Sequence, residues 1–202
     1  MHFSAITVLS LTALSVAAPI TKRQSILGST TYDAISISGG TAGNAQKEAL
    51  AVFSSLDTAN PENISAEDQD ILNEVNQVAN DAEKEAFNPA IAAATGEEAD
   101  ALQRGKIKNK VLKLQATVLK LQAQQAQGDA SVAAKLEEEQ TKLQNNIDQD
   151  VAEAGAASTA LPFDATIGSA DDEAATDDEA DDEATADDEA DDEATADDEA
   201  DD

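Results

Sequence analysis

The stretch from Glu97 to Gly128 limits the fold of this chain more than any other part of its sequence. Three acidic residues stand at its start, where the dipole of a helix favours negative charge. Apolar residues then recur at intervals of three and four, the spacing that lines the contact side of a helix in a bundle, at Val111, Leu114, Val118 and Leu121. Gly128 ends the pattern. The stretch therefore predicts one long helix that packs against other helices.

Three further segments show the same helical spacing. The first runs from about Asn44 to Asp57. The second begins at a capping-box sequence, Ser65–Asp68, and continues to Phe87, where the following Asn-Pro pair breaks or kinks it. The last runs from about Asp129 to Gly155. Their apolar faces are Ala49, Val52, Phe53 and Leu56; Ile71, Val75, Val78 and Ala82; and Val132, Leu136, Leu143, Ile147 and Val151.

These four segments predict an all-α domain at residues 24–160, folded as an antiparallel four-helix bundle, because the short connection after Gly128 favours antiparallel neighbours. The alternating run Tyr32–Ser38 predicts a short strand or an extended arm on the core. The chain contains no cysteine, so packing alone must hold the fold together.

The first residues predict secretion. An apolar run from Phe3 to Val16 ends in small residues and is too short to span a bilayer, as in a signal peptide, here residues 1–18. Residues 19–23 form a short propeptide that ends in the dibasic pair Lys22-Arg23, a processing site. No later segment reaches the roughly 20 apolar residues of a membrane span. We therefore expect an extracellular or cell-wall protein without a transmembrane segment.

The other end is strongly acidic. Residues 161–202 predict a disordered tail, and from residue 171 a ten-residue acidic repeat contains twenty Asp or Glu and no basic residue. A block of like charge with almost no large apolar side chain cannot offset the entropy lost on ordering. Two roles for the tail are open: weak, multi-site binding of calcium or another hard cation, or solubilisation alone. The sequence predicts no other cofactor and no specific metal site.

Composition argues against catalysis. The one histidine, His2, lies in the signal peptide, so the mature chain has neither His nor Cys for a nucleophilic or zinc site. Paired carboxylates are abundant only because the whole chain is acidic, with a formal net charge of −30. This charge also disfavours nucleic acid and anionic membranes as partners. We therefore expect a protein that is not an enzyme.

Two features of the body are candidate sites. Lys106, Lys110, Lys113 and Lys120 fall within about 80° of arc on the long helix. They form either a docking stripe for an anion, which is an outside ligand or the chain's own tail, or a solvated face paired with carboxylates such as Glu137–Glu139. Asn63 heads an N-glycosylation sequon, although its Ser65 is also needed as a helix cap.

Three segments resemble a group of cysteine-free small secreted proteins of filamentous ascomycete fungi: Tyr32–Asn44, Ala86–Ala92 and Gly105–Leu114. The resemblance covers about residues 1–165 and implies a non-enzymatic protein at the fungal surface or in host tissue, a candidate effector in virulence. It carries no catalytic motif. A more distant analogy, to fungal hydrophobic-surface-binding and cell-wall mannoproteins, implies a helical bundle that binds a lipid or an apolar surface.

Three functions follow as hypotheses. The first is a secreted interaction protein that binds an extracellular protein or a wall component. The second is a lipid or hydrophobic-surface binding wall protein, and the third is a structural wall protein that binds divalent cations through its tail. Self-association is an additional option, because the apolar side of the long helix fits a partner chain as well as its own.

Processing at the dibasic pair predicts a secreted chain that begins at Gln24. The intact mass of the protein purified from culture medium tests this. A mass that corresponds to a start directly after Ala17 or Ala18 would contradict the dibasic site and leave the signal peptide as the only segment removed.

Overall fold

The computed structural model describes residues 26–168. Along the chain the strands are β1 (Thr30–Thr31), β2 (Gly40–Thr41), β3 (Ala157–Ser158) and β4 (Thr166–Ile167). The helices are α1 (Tyr32–Ile35), α2 (Ala45–Val52), α3 (Ala66–Ala82), α4 (Asn88–Ala93), α5 (Glu97–Ala126) and α6 (Ala133–Ala152). Two short 3-10 turns, Pro61–Asn63 and Ala130–Val132, and a π-helical turn, Glu83–Phe87, complete the described elements.

The helix α5 is the centre of the domain. It packs against α2, α3, α4 and α6, and it is buried on several sides rather than along one stripe. The predicted seam is buried, and so are residues between its positions, such as Leu112 and Leu119. A helix surrounded in this way has no single polar face, so its polar residues must find partners inside the protein.

Three polar residues of α5 bind backbone groups or side chains of the segments that cross it. The Lys108 side chain is fully buried, donates to the carbonyl oxygens of Gly39 (2.6 Å) and Thr41 (3.2 Å), and pairs with Glu48 at 2.8 Å. Asn109 accepts a hydrogen bond from the Tyr32 hydroxyl and donates to an α3 carbonyl. These bonds fix β2, α1 and α3 against the same helix.

The third of these residues, Arg104, holds the segment that follows α6. Its guanidinium donates to the carbonyl oxygen of Ala157 and pairs with Glu97 (2.7 Å) and Glu153 (3.3 Å). Because guanidinium donors are used in three directions, the end of α6 and strand β3 are tied to the start of α5.

Two small antiparallel sheets join the ends of the domain. The strand β1 pairs with β4, with Thr30 opposite Ile167, and β2 pairs with β3, with Gly40 opposite Ser158. The Asp68 carboxylate, buried at the start of α3, accepts the backbone N–H groups of Ile26 and Leu27 at 2.8 Å each. The first described residues are therefore anchored to α3.

The mainly helical fold class is confirmed, whereas an antiparallel four-helix bundle is not established. The expectation of an all-α domain is wrong in one respect, because the two sheets are present. The predicted extended arm at Tyr32–Ser38 is wrong over Tyr32–Ile35, which is helical. Of the four predicted helices, the first is the shortest, with eight residues in α2.

Two predicted boundaries are corrected. The predicted break at Asn88-Pro89 does not occur: the π-helical turn, in which the Asn88 N–H donates to the Glu83 carbonyl oxygen, leads directly into α4, and Pro89 lies in its first turn. The tail was expected from residue 161, but Ile167 is fully buried and Phe163 packs edge-on against Tyr32. Residues 161–168 thus belong to the folded domain. The signal peptide, the propeptide and the acidic repeats lie outside the described residues.

Replacing Gly105 on α5 with Ala should destabilise the domain. A Cβ atom there would collide with the carbonyl oxygen of Thr159 and come within 3.1 Å of the Phe87 ring. Overpacking of this kind typically costs about 1–3 kcal/mol, and the better helix propensity of Ala offsets up to about 1 kcal/mol. We expect a net loss of about 1–2 kcal/mol in denaturant unfolding.

Gly28→Ala is the matched control for Gly105→Ala, because a Cβ atom at Gly28 has no heavy atom within 4 Å. Its free energy of unfolding should stay within about 0.5 kcal/mol of the parent chain or rise slightly. Equal effects of the two substitutions would show that the close approach of residue 159 to α5 is not a packing constraint.

Candidate functional site

A cleft of about 330 Å³ opens between α2, α5 and α6. Its floor is aliphatic, and its rim carries five glutamines together with Thr58. We call it the glutamine cleft. The floor consists of Leu50, Val118, Leu119, Leu143 and Ile147, and the glutamines are Gln46, Gln115, Gln122, Gln140 and Gln144. The volume lies at the lower end of the range typical of ligand pockets.

All residues that line the glutamine cleft are uncharged. This is unusual for its setting, since the whole chain has a formal net charge of −30. At the floor, Leu50 is 44% exposed, one of the few large apolar side chains left open to solvent in the described domain. The cleft therefore combines apolar surface with neutral hydrogen-bonding groups and provides no counter-charge for an ion.

One glutamine of the cleft differs from the others in burial. Gln115 is 6% exposed, whereas Gln46, Gln140 and Gln144 lie at the exposed rim. Among residues 26–168, the Gln115 amide forms no hydrogen bond with protein, while Gln144 donates to Asp148 at 2.7 Å. Among the described residues the buried side-chain atoms without a hydrogen bond are Ser38 Oγ and Asp150 Oδ1, so the unpaired amide of Gln115 is accessible from the cleft and can bind a ligand group or water.

A second cleft of about 470 Å³ lies at the other end of the α5–α6 pair. It is lined by Arg104 and Glu153 among others, and these two side chains already pair with each other. The Arg104 guanidinium also binds Glu97 and the carbonyl oxygen of Ala157. Two charged groups of this cleft, Arg104 and Glu153, are thus already engaged within the fold, which makes the smaller glutamine cleft the stronger candidate.

The predicted lysine stripe lies along the edge where α5 meets α3. The four lysines are partly buried, and the two helices exchange contacts in a regular antiparallel register. The pairs are Asn73 with Lys120 (2.7 Å), Asn76 with Thr117 (2.7 Å), Asn80 with Lys113 (3.3 Å), Glu83 with Lys113 (3.3 Å) and Lys110 (3.9 Å), and Asn88 with Lys106 (3.3 Å).

These side-chain pairs bear on the two interpretations of the lysine stripe. The ammonium groups bind side chains of α3 and the segment after it, so internal pairing occurs, although not with Glu137–Glu139. Those glutamates lie on α6, where Glu138 and Glu139 pair with Lys142. Docking of an outside anion on the stripe stays a prediction, and it would have to compete with these contacts.

The glycosylation candidate Asn63 lies in the first 3-10 turn and is partly buried. Its amide donates to Asp57 at 2.9 Å, and hydrogen bonds from Asn63 and Asn60 hold the pKa of Asp57 below its usual value. The sequon hydroxyl of Ser65 caps α3 by accepting from the Asp68 backbone N–H. Both sequon side chains therefore have structural roles, and occupancy stays a prediction. The processing pair Lys22-Arg23 lies outside the described residues.

Sequence reasoning did not identify the glutamine cleft. The sequence does contain a pattern that indicates the cleft. The helices α5 and α6 each contribute four residues to its lining, at the same spacing of three, one and three positions. These residues are Gln115, Val118, Leu119 and Gln122 from α5, and Gln140, Leu143, Gln144 and Ile147 from α6. Each stripe alone resembles the border of an ordinary amphipathic helix. Only the packing of α5 on α6 brings the glutamines together.

The comparisons with known proteins define a family. A family model described as a domain of unknown function, DUF8454, matches residues 27–162. The chain belongs to this family. The match includes every helix described above and ends before β4. No curated protein and no solved structure matches the chain.

Within residues 26–168, no helix is both long and apolar enough to cross a membrane. In the same range, no group of three or more His, Cys, Asp or Glu side chains is placed to hold a metal ion.

The contributions of two lysines to the stability of the domain should change in opposite directions at alkaline pH. Burial lowers the pKa of Lys120 below 10.5, whereas hydrogen bonding to Glu138 raises the pKa of Lys142 above it. The charged form of Lys120 therefore opposes folding at neutral pH, and this cost shrinks as pH rises through its folded pKa. The contribution of Lys142 is complete below its unfolded pKa and is lost as pH rises through its folded pKa.

We expect the parent chain to gain stability relative to Lys120→Met as the pH approaches 10.5 from below, and to lose stability relative to Lys142→Met as the pH rises above 10.5. Urea unfolding of the three proteins at each pH measures both differences. The same sign for both variants would contradict the burial of Lys120 against α3.

Proposed function

We propose that this chain is a secreted protein that acts by binding another molecule rather than by catalysis. The observation that carries the proposal is the glutamine cleft, an uncharged recess in a strongly acidic chain, lined by a mostly buried Gln115 whose amide has no partner among the described residues. A recess of this kind suits a neutral ligand, since an ion that entered it would lose hydration without gaining a counter-charge.

The site offers binding groups and lacks the usual groups of catalysis. Amide side chains and aliphatic side chains do not act as nucleophiles or as general acids and bases. The one histidine of the sequence, His2, falls within the expected signal peptide. A binding role therefore agrees with the chemistry of the cleft and with the composition of the chain.

The expected compartment and origin support the same proposal. The apolar N-terminal run and the dibasic pair predict secretion, and the resemblance to fungal small secreted proteins supports a location at the fungal cell surface or in host tissue. The partner is then an extracellular protein or a wall component. We also propose that α2, α3, α5 and α6 form an irregular four-helix bundle, in which the short α2 leaves part of the α5–α6 surface open.

Binding of a lipid or an apolar surface is the second candidate function, because the cleft floor is aliphatic and Leu50 is partly exposed. Displacement of a fluorescent fatty acid distinguishes the two functions. Saturable displacement that is lost when the floor is changed would favour the lipid-binding function over recognition of a protein or wall component.

The substitution Leu50→Glu tests the cleft as the binding site. It places a carboxylate in the lining of the cleft, at a position that is 44% exposed, so the fold should tolerate the change. Mature chain, residues 24–202, is immobilised and exposed to host extracellular fluid and to purified fungal wall. We expect the captured material to fall at least about tenfold, because a neutral ligand group next to the carboxylate would leave that charge partly desolvated.

Val151→Glu is the matched control. Val151 is an aliphatic residue of α6 that is 56% exposed and does not line the glutamine cleft, so the charge change is identical. Capture should be unaffected by it. Equal losses in both variants would indicate a general effect of added negative charge, and equal retention would exclude the cleft as the binding site.

A further inference from the structure

We infer that the glutamine cleft binds an uncharged peptide segment of a partner protein, with a peptide amide facing Gln115 and an aliphatic side chain on the floor. This inference rests on the proposed function and names the chemistry of its ligand. Three observations carry it: the unpaired amide of Gln115, the absence of charge in the lining, and the pairing of amide and aliphatic groups along two adjacent helices.

The side-chain amide of Gln115 is the group that would recognise a peptide bond of the ligand. Its side chain is 6% exposed, and none of the described residues accepts from or donates to it. A side-chain amide carries two donors and one acceptor oxygen, which match the acceptor and donor of a peptide group. A ligand amide at this place would replace water as the partner of a group that the described residues leave unpaired, and the fixed directions of its donors and acceptor add specificity.

The uncharged lining of the glutamine cleft disfavours charged segments of a partner protein. A basic or acidic side chain in the cleft would be desolvated against neutral amides and aliphatic carbons, at a cost that no lining residue compensates. The net negative charge of the chain further disfavours anionic segments as ligands. The segment that enters the cleft must therefore be uncharged, whatever the charge of the remainder of the partner.

The arrangement of groups favours a peptide over a sugar. The α5 and α6 stripes give the floor aliphatic side chains of the size that receives a Leu or Val residue, with glutamines on the rim. Sugar rings are commonly held on aromatic platforms, and all lining residues of this cleft are non-aromatic. The volume of about 330 Å³ suits one or two side chains with their peptide groups.

The experiment uses NMR of the full mature chain with a short, N-acetylated and C-amidated peptide of leucine and glutamine as the probe. The side-chain amide signals of Gln115 should shift and saturate as the peptide is added. Peptides of the same length with glutamate or lysine in place of glutamine test the charge requirement, and a soluble neutral oligosaccharide tests the sugar alternative. Neither charged peptide should shift these signals.

Two variants connect the signal to the residue. Gln115→Leu keeps the side-chain size and removes the amide, so we expect the affinity for the neutral peptide to fall about tenfold while thermal stability is kept or improved. Gln77→Leu makes the same change at an exposed position of α3 outside the cleft, and it should leave the affinity unchanged.

The outcomes separate this inference from the proposed function. Saturable shifts that require both the neutral peptide and Gln115 support it. Shifts caused only by the oligosaccharide, or peptide binding that Gln115→Leu leaves intact, overturn the peptide assignment while the glutamine cleft still binds a ligand. No response at the cleft to any probe overturns this inference, and the Leu50→Glu comparison then decides separately whether the cleft captures any natural ligand.

Discussion

The fold depends on a buried ammonium group. Lys108 has no exposed side chain, and its cation is held by two backbone carbonyls of the β2 region and by Glu48. Removing one member of such a set leaves a buried charge or buried carbonyls without partners, which costs far more than the net gain of the pair. The central helix α5 therefore fixes the non-helical segments by specific polar bonds, while apolar packing fixes the helices around it.

The polar bonds from α5 explain how a small chain without disulfides holds its long connecting segments in place. Arg104, Lys108 and Asn109 lie within two turns of α5, and each binds a different segment: the end of α6, the β2 turn, and the α1–α3 region. The bonds are directional, so the segments they hold adopt one arrangement rather than several. Apolar contacts alone would supply comparable stability but would allow these segments more than one arrangement.

The sequence predicted the helices better than what lies between them. Periodicity identified α5 because its spacing is regular over many turns, and it identified α3 and α6 for the same reason. It could not predict the sheets, since two-residue strands such as Gly40–Thr41 have no periodicity of their own and form only where α5 brings distant segments together. Nor could it predict that Lys108 is buried, because in sequence it looks like the neighbouring lysines at the edge of α3.

The candidate site shows the same limit. Gln115 belongs to a helix rich in glutamine, and nothing local separates it from Gln122 or Gln125. Its amide is left without a protein partner in the cleft because α2, with eight residues, covers only part of the α5–α6 surface. A feature that depends on which residues a neighbouring element fails to cover is a property of the assembled domain, not of any one segment.

The pairing of β1 with β4 has a mechanical consequence. The described chain enters and leaves the domain side by side, with Ile26 and Leu27 bound to Asp68 and Gly168 bound to Glu74, both carboxylates of α3. A force that pulls these two ends apart would act on the Thr30–Ile167 pair before the Thr31–Thr166 pair. The two strands would therefore separate one residue pair at a time. The bonds to Asp68 and Glu74 lie closer to the two ends than the strand pair, so they would carry the force first and pass part of it to α3, and the domain would yield first at its ends.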